Sequence, residues 1–83
     1  MQTNELNSWI YRTLAQAGDH LTFDQLDKLL EKETKDWTDA LRRIYLRGEL
    51  GRMIRNGSVI RDKNAAKYKI SDEVGLFQEN AQP

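Results

Sequence analysis

The chain has 83 residues, no cysteine, one histidine and a formal net charge of zero. A chain of this length has apolar material for one small core, so we expect a single domain. The lack of cysteine excludes disulfides and thiolate metal sites, and the apolar runs are too short for a membrane span or the core of a signal peptide. We therefore expect a cytoplasmic protein with no membrane partner.

The charge is distributed unevenly along the chain. Residues 1–34 carry three basic and six acidic side chains, residues 35–70 carry ten and four, and residues 71–83 carry none and three. The net charges of the three segments are thus −3, +6 and −3. A concentrated positive field attracts phosphates whatever the total charge is, so the middle segment is expected to face a polyanion.

Two helices are predicted in the first half of the chain. Apolar residues at spacings of three and four predict a helix that runs to about Ala17 and ends at Gly18. In the sequence "LTFDQL", Thr22 and Gln25 have the spacing of a capping box, which predicts the start of a second helix that ends near Glu31 or Lys32. A very short extended piece is predicted before it. The second helix should bury Phe23, Leu26, Leu29 and Leu30.

A third helix is predicted with Thr34 as its N-cap and an end near Gly48 or Gly51. The helical periodicity groups its residues into two sides. The side expected to be buried contains Trp37, Ala40, Leu41, Ile44, Tyr45 and Gly48. The side expected to face outward contains Lys35, Thr38, Asp39, Arg42, Arg43, Leu46 and Glu49.

An antiparallel β unit is expected to follow the third helix. Asn56-Gly57 is a preferred pair for a two-residue hairpin turn, and residues 67–70 alternate between apolar and basic. The sheet has either two strands, 52–55 and 67–70, or three, with 58–61 between them. Residues 1–71 are expected to form the domain, and residues 72–83 an acidic, partly disordered tail.

The order of these elements resembles that of winged helix-turn-helix domains, which are α+β and carry a β-hairpin called the wing. The resemblance lies in "LTFDQLDKLL", the "EKETK" turn, "DWTDALRRIYLRGEL" and the strands of "GRMIRNG…KYKIS". It implies binding of double-stranded DNA, with the third helix in the major groove and the wing on the backbone or minor groove. It also implies, together with the size, a small transcriptional regulator of phage or prokaryotic type.

Basic and polar side chains on these two elements are the candidate DNA contacts. In the third helix, Thr38 and Arg42 are expected to contact base edges, and Lys35 and Arg43 to contact phosphate, with Asp39 beside them. The wing is expected to neutralise phosphates. Its candidate residues are Arg52, Arg55, Arg61, Lys63, Lys67 and Lys69.

A protein-interaction module is the alternative function, because one fold serves several functions. Its interface would include Leu46 and the tail, where Leu76 and Phe77 are also candidates for a homodimer contact. An enzyme is not expected, since the chain lacks nucleophile, P-loop and metal-binding motifs. No cofactor and no metal are expected.

Overall fold

Three helices and three short strands make up most of the described part of the chain. The computed structural model describes residues 1–18, 20–62 and 64–71. A 3-10 turn at Thr3–Glu5 leads into the first helix. The elements are α1 (Leu6–Ala17), β1 (Leu21–Thr22), α2 (Phe23–Glu31), α3 (Asp39–Arg55), β2 (Val59–Asp62) and β3 (Lys67–Ile70). The fold class is therefore α+β, as predicted.

The end of α1 and the start of α2 follow local capping signals in the sequence. Gly18 ends α1 with a φ of 65°, a left-handed conformation that glycine adopts without steric cost. The Thr22 amide donates to Oε1 of Gln25 at 2.8 Å, and the Gln25 amide donates to Oγ1 of Thr22 at 3.1 Å. The predicted end of α1 and the predicted start of α2 are both confirmed. They could be predicted because the groups that fix each boundary lie within a few residues of each other in the sequence.

The third helix is longer at its C-terminal end than predicted. Residues 52–55 are the last turn of α3, not a strand. The helix ends at Asn56-Gly57, where the Gly57 amide donates to the Ile54 carbonyl at 3.2 Å and the Ser58 amide donates to the Met53 carbonyl at 2.8 Å. Gly57 has a φ of 86°, so the pair closes a helix through a Schellman motif instead of turning a hairpin.

The strands form one antiparallel sheet in the order β1-β3-β2. Strand β3 pairs with β2 from Val59 opposite Ile70 to Asp62 opposite Lys67, and with β1 at its other edge. The predicted antiparallel unit after α3 is thus confirmed. Its hairpin joins 59–62 to 67–70, and its third strand comes from the short extended piece before α2.

The core lies between the three helices and the inner face of the sheet. α1 contributes four side chains, α2 two, α3 three and β2 one. These residues are Leu6, Trp9, Ile10, Leu14, Leu26, Leu30, Leu46, Leu50, Met53 and Val59. Leu29, predicted to be buried, is 38% exposed. The predicted tail, 72–83, with Leu76 and Phe77, lies outside the described residues, and so does Lys63.

Candidate nucleic-acid interface

The start of α3 is set by two threonines with different tasks. Thr34, the predicted N-cap, is fully buried, and its Oγ1 donates to the Leu30 carbonyl at 2.8 Å. Thr34 therefore provides a hydrogen-bond donor for a backbone carbonyl in the last turn of α2. Thr38 is the observed N-cap, since its Oγ1 accepts a hydrogen bond from the Leu41 amide at 3.2 Å. Lys35 accordingly lies in the connecting turn before α3, where it is exposed.

A buried ion pair joins α2 to α3. Arg42 Nε lies 2.7 Å from Asp27 Oδ1 and its Nη2 lies 3.2 Å from Oδ2, so the guanidinium binds the carboxylate with two nitrogens. Arg42 is 4% exposed and Asp27 5%. Nη1 of Arg42 also lies 2.8 Å from Oδ1 of Asp39, which caps the arrangement from the solvent side. This network fixes the rotation of α3 about its own axis relative to α2.

The network also sets the charge states of its members. Hydrogen bonding to Arg42 holds the pKa of the Asp27 carboxyl below its ordinary value, although burial acts in the opposite direction. The same bond raises the pKa of Arg42. Both groups are therefore charged at neutral pH. The prediction that Arg42 faces outward toward base edges is wrong, because its guanidinium is occupied inside the protein.

The core side of α3 differs from the predicted one, although Lys35, Thr38, Asp39 and Arg43 are exposed as predicted. Leu46, predicted to face outward, is fully buried and continues through Leu50 and Met53 as the core side. Leu41 and Ile44, predicted to be buried, are 44% and 63% exposed. The outer side of α3 is therefore the side opposite Arg42, Leu46, Leu50 and Met53.

Four arginines occupy the outer side of α3: Arg43, Arg47, Arg52 and Arg55. Arg43 lies 3.3 Å from Asp27 but keeps 58% of its side chain exposed. The Arg47 guanidinium lies 4.9 Å from the centre of the Phe23 ring, a cation-π contact that leaves the charge available to a second ligand. All four residues are exposed.

Carboxylates pair with two of these four arginines, Arg43 with Asp27 and Arg52 with Glu49. The sequence of α3 has two acidic residues, Asp39 at its first position and Glu49. The Glu49 side chain is 15% exposed, accepts a hydrogen bond from Asn7 Nδ2 at 3.0 Å, and lies 3.6 Å from Arg52. Among the described residues, Arg55 forms no ion pair. The outer side from Ala40 to Arg55 is thus cationic along its length.

The predicted wing residues divide between three places. Arg52 and Arg55 belong to the last turn of α3, because the predicted first strand is helical. Arg61 is paired with Tyr68 and shares the sheet face of Val59, which faces the helices, although Arg61 itself is exposed near the end of β2. Lys67 and Lys69 lie on the opposite sheet face, Lys69 beside Ile60 and Lys67 beside Asp62.

Arg61 lies beside the last turn of α3. A shallow hollow is lined by Ile54 of α3, by Gly57, and by Val59, Ile60 and Arg61 of β2. The candidate DNA contacts between Lys35 and Lys69 therefore lie only partly on one surface. It includes the outer side of α3 and reaches Arg61, whereas Lys67 and Lys69 point away from the helices.

The outer side of α3 also exposes apolar groups that the sequence analysis assigned to the core. Ile44 is the most exposed of them. Trp37, which precedes α3, is partly buried against the core in line with the prediction, and its ring packs edge to face on the exposed Tyr45 ring with centroids 5.2 Å apart. Leu41 is exposed on the same side of the helix. Arg47 was not selected as a site residue, although its outward position follows from a helix that buries Leu46 and Leu50.

No protein family, curated protein or solved structure matches the chain. Within residues 1–18, 20–62 and 64–71, no helix is long and apolar enough to cross a membrane. The same residues contain no cluster of three metal-binding side chains. The site must therefore be interpreted from its own geometry and charge.

Proposed function

We propose that the chain is a winged-helix domain that binds double-stranded DNA through the outer side of α3 and Arg61. One observation carries this proposal: four arginines are exposed on that side of α3, while its only acidic residue beyond the first position lies toward the core. The order of helices and strands and the sheet order β1-β3-β2 are compatible with a helix followed by a wing.

The dimensions of the groove and of the helix support this proposal. An α-helix with its side chains is about 10–12 Å across, and the major groove of B-form DNA is about 12 Å wide. α3 has 17 residues and one continuous exposed side, so it presents several turns to a groove. The buried pair of Asp27 and Arg42 holds this side outward.

Phosphate contacts are the principal expected interaction. Arginine presents a planar fork of donors that suits phosphate oxygens. In this proposal the phosphate contacts come from Arg43, Arg47, Arg52 and Arg55. Arg42 is not among the contacts, because its guanidinium is bound within the protein. Such a surface suits a small DNA-binding regulator, the role that the resemblance to winged helix-turn-helix domains implies.

A salt titration tests the proposal. A fluorescein-labelled mixed-sequence duplex is titrated with the protein, and the dissociation constant is measured by anisotropy at several salt concentrations. Five exposed arginines at the interface predict that log K falls with log salt with a slope of about −4 to −5. Binding that is absent or independent of salt would contradict the proposal.

A protein-interaction module is the second candidate function, and one feature favours it. Leu41 is exposed beside the packed rings of Trp37 and Tyr45, which gives an apolar patch at the start of α3. Exposed apolar patches often mark protein contacts. The substitution Leu41→Ser separates the two functions: DNA affinity should remain if the arginines carry binding, whereas capture of a protein partner should be lost.

A further inference from the structure

The centre of the outer side of α3 differs in chemistry from its edges. Ala40, Ile44, Gly48 and Gly51 follow one another at spacings of four, four and three, so they form one strip along the helix, here named the central strip. The strip lies opposite the buried side formed by Leu46, Leu50 and Met53. Three of its members have side chains of one carbon or none, so Ile44 projects from it alone.

Nothing in the described part of the chain covers the central strip. A Cβ atom built on Gly48 meets no atom within 4 Å, and one built on Gly51 meets only the Arg55 guanidinium, at 3.5 Å. Ile44 is 63% exposed, the highest value among the large exposed apolar side chains. Ile44 lies three residues after the exposed Leu41, so the two side chains form one apolar area among the arginines, and such areas often mark binding sites.

Arginines lie on both edges of the central strip. At about 3.6 residues per turn, Arg43 and Arg47 fall on one edge and Arg52 on the other, while Arg55 continues the line of the strip at its C-terminal end. A major groove has the same arrangement, because two phosphate backbones border a floor of base edges. The arginines thus match the borders, and the strip matches the floor.

The strip has no side chain that donates or accepts a hydrogen bond, so it cannot read the polar edges of bases. The one apolar group on the floor of the major groove is the C5-methyl group of thymine. We propose that Ile44 contacts thymine methyl groups and gives the duplex-binding surface a preference for thymine. This inference rests on the proposed DNA-binding function and specifies which part of the duplex the centre of α3 reads.

The test removes the methyl group from the DNA and the isoleucine from the protein in turn. Affinity is measured by anisotropy for a short labelled duplex of alternating dA and dT and for the same duplex with deoxyuridine in place of thymidine. The wild-type protein is expected to bind the deoxyuridine duplex about fourfold more weakly. This corresponds to the loss of one methyl contact, because burial of one carbon group contributes about 0.8 kcal/mol. The Ile44→Ala variant should bind both duplexes equally.

A matched control uses an exposed aliphatic side chain on a different helix. Leu29 of α2 is 38% exposed and lines a hollow that includes no residue of α3. The Leu29→Ala variant should keep the full difference between the two duplexes. Circular dichroism should show unchanged folding of both variants, because each truncates an exposed side chain.

The outcomes separate the two proposals. Salt-dependent binding that does not distinguish thymine from uracil would overturn the role of Ile44 and leave DNA binding in place. A thymine preference that persists in Ile44→Ala would assign the contact to another residue and would also overturn the inference. No salt-dependent binding to either duplex would overturn the proposed function itself.

Discussion

The inner and outer sides of α3 use arginine in opposite ways. On the inner side, Arg42 is 4% exposed and is held by Asp27 and Asp39. The next residue, Arg43, also contacts Asp27, at 3.3 Å, but keeps 58% of its side chain exposed. One guanidinium fixes the position of the helix, while its neighbour remains available for a ligand. A count of basic residues in α3 therefore overstates the charge that a partner can meet.

The largest expected effect comes from breaking the inner pair. Asp27→Asn is expected to lower the free energy of unfolding by about 3 kcal/mol, because removal of one member of a buried ion pair leaves the other charge without compensation. Chemical denaturation with urea measures this change. Asp24→Asn, an exposed carboxylate on the same helix, is the control and should cost no more than about 1 kcal/mol.

A double variant distinguishes charge from packing at this position. Asp27→Leu combined with Arg42→Met replaces both charges by apolar side chains. Buried ion pairs can often be replaced in this way with little net loss of stability. The double variant should therefore recover most of the stability that Asp27→Asn loses. If the double variant is as unstable as the single one, the contribution of the network lies in its shape and hydrogen bonds to Asp39.

Substitutions on the outer side are expected to change DNA binding much more than stability. Arg47→Ala and Arg55→Ala should each weaken duplex binding about tenfold and make the salt slope shallower by about 1, because each removes one phosphate contact. Anisotropy titrations at two salt concentrations measure both quantities. Arg12→Ala, an exposed arginine on α1, should alter neither. Equal losses for all three variants would indicate attraction by overall charge alone.

The contrast between the two sides also explains which features the sequence could predict. The capping box of Thr22 and Gln25 and the alternation of residues 67–70 depend on neighbours in the chain, and both were predicted correctly. Thr34 and Asn56-Gly57 were assigned wrongly for a different reason. A threonine can cap a following helix or bond back to a preceding one, and a glycine at positive φ serves a hairpin turn or a helix end equally well.

The exposed side of α3 could not be predicted from periodicity, because apolar residues occur on both sides. Leu41 and Ile44 define one candidate core side, and Leu46 with Met53 defines the other. The choice depends on Arg42 meeting Asp27, a residue 15 positions earlier on a different helix. The predicted helix also ended too early to include Met53. The candidate site residues inherited this error, so Arg42 was selected and Arg47 was not.

Acid is expected to weaken the inner pair. The pKa of Asp27 is lower in the folded chain than in the unfolded chain, where it is about 3.9. The pair therefore contributes its full stability above about pH 4 and loses it as the pH falls through the lower folded value. Urea denaturation of the wild type and of Asp27→Asn should be followed from neutral pH to below about pH 4. The difference between their free energies of unfolding should become smaller as the pH falls. A gap independent of pH would mean that Asp27 does not titrate with folding.

The smallest expected effect concerns Gly48 on the outer side. Glycine inside an exposed helix costs about 1 kcal/mol relative to alanine, and a Cβ atom at Gly48 meets nothing within 4 Å. Gly48→Ala should therefore raise the free energy of unfolding by about 1 kcal/mol. Its methyl group would also stand on the central strip beside Ile44, so the variant should bind duplex DNA more weakly although it is more stable.

The matched control for this change is Gly57→Ala. Gly57 has a φ of 86° and lies just beyond α3, so alanine there should lower stability by about 1–2 kcal/mol and leave DNA affinity unchanged. The duplex would be placed on the central strip by two results together. Gly48→Ala should raise stability and Gly57→Ala should lower it, and only Gly48→Ala should weaken DNA binding. If Gly48→Ala is more stable and binds with unchanged affinity, the floor of the groove does not reach the helix backbone, and contact is limited to the arginine edges.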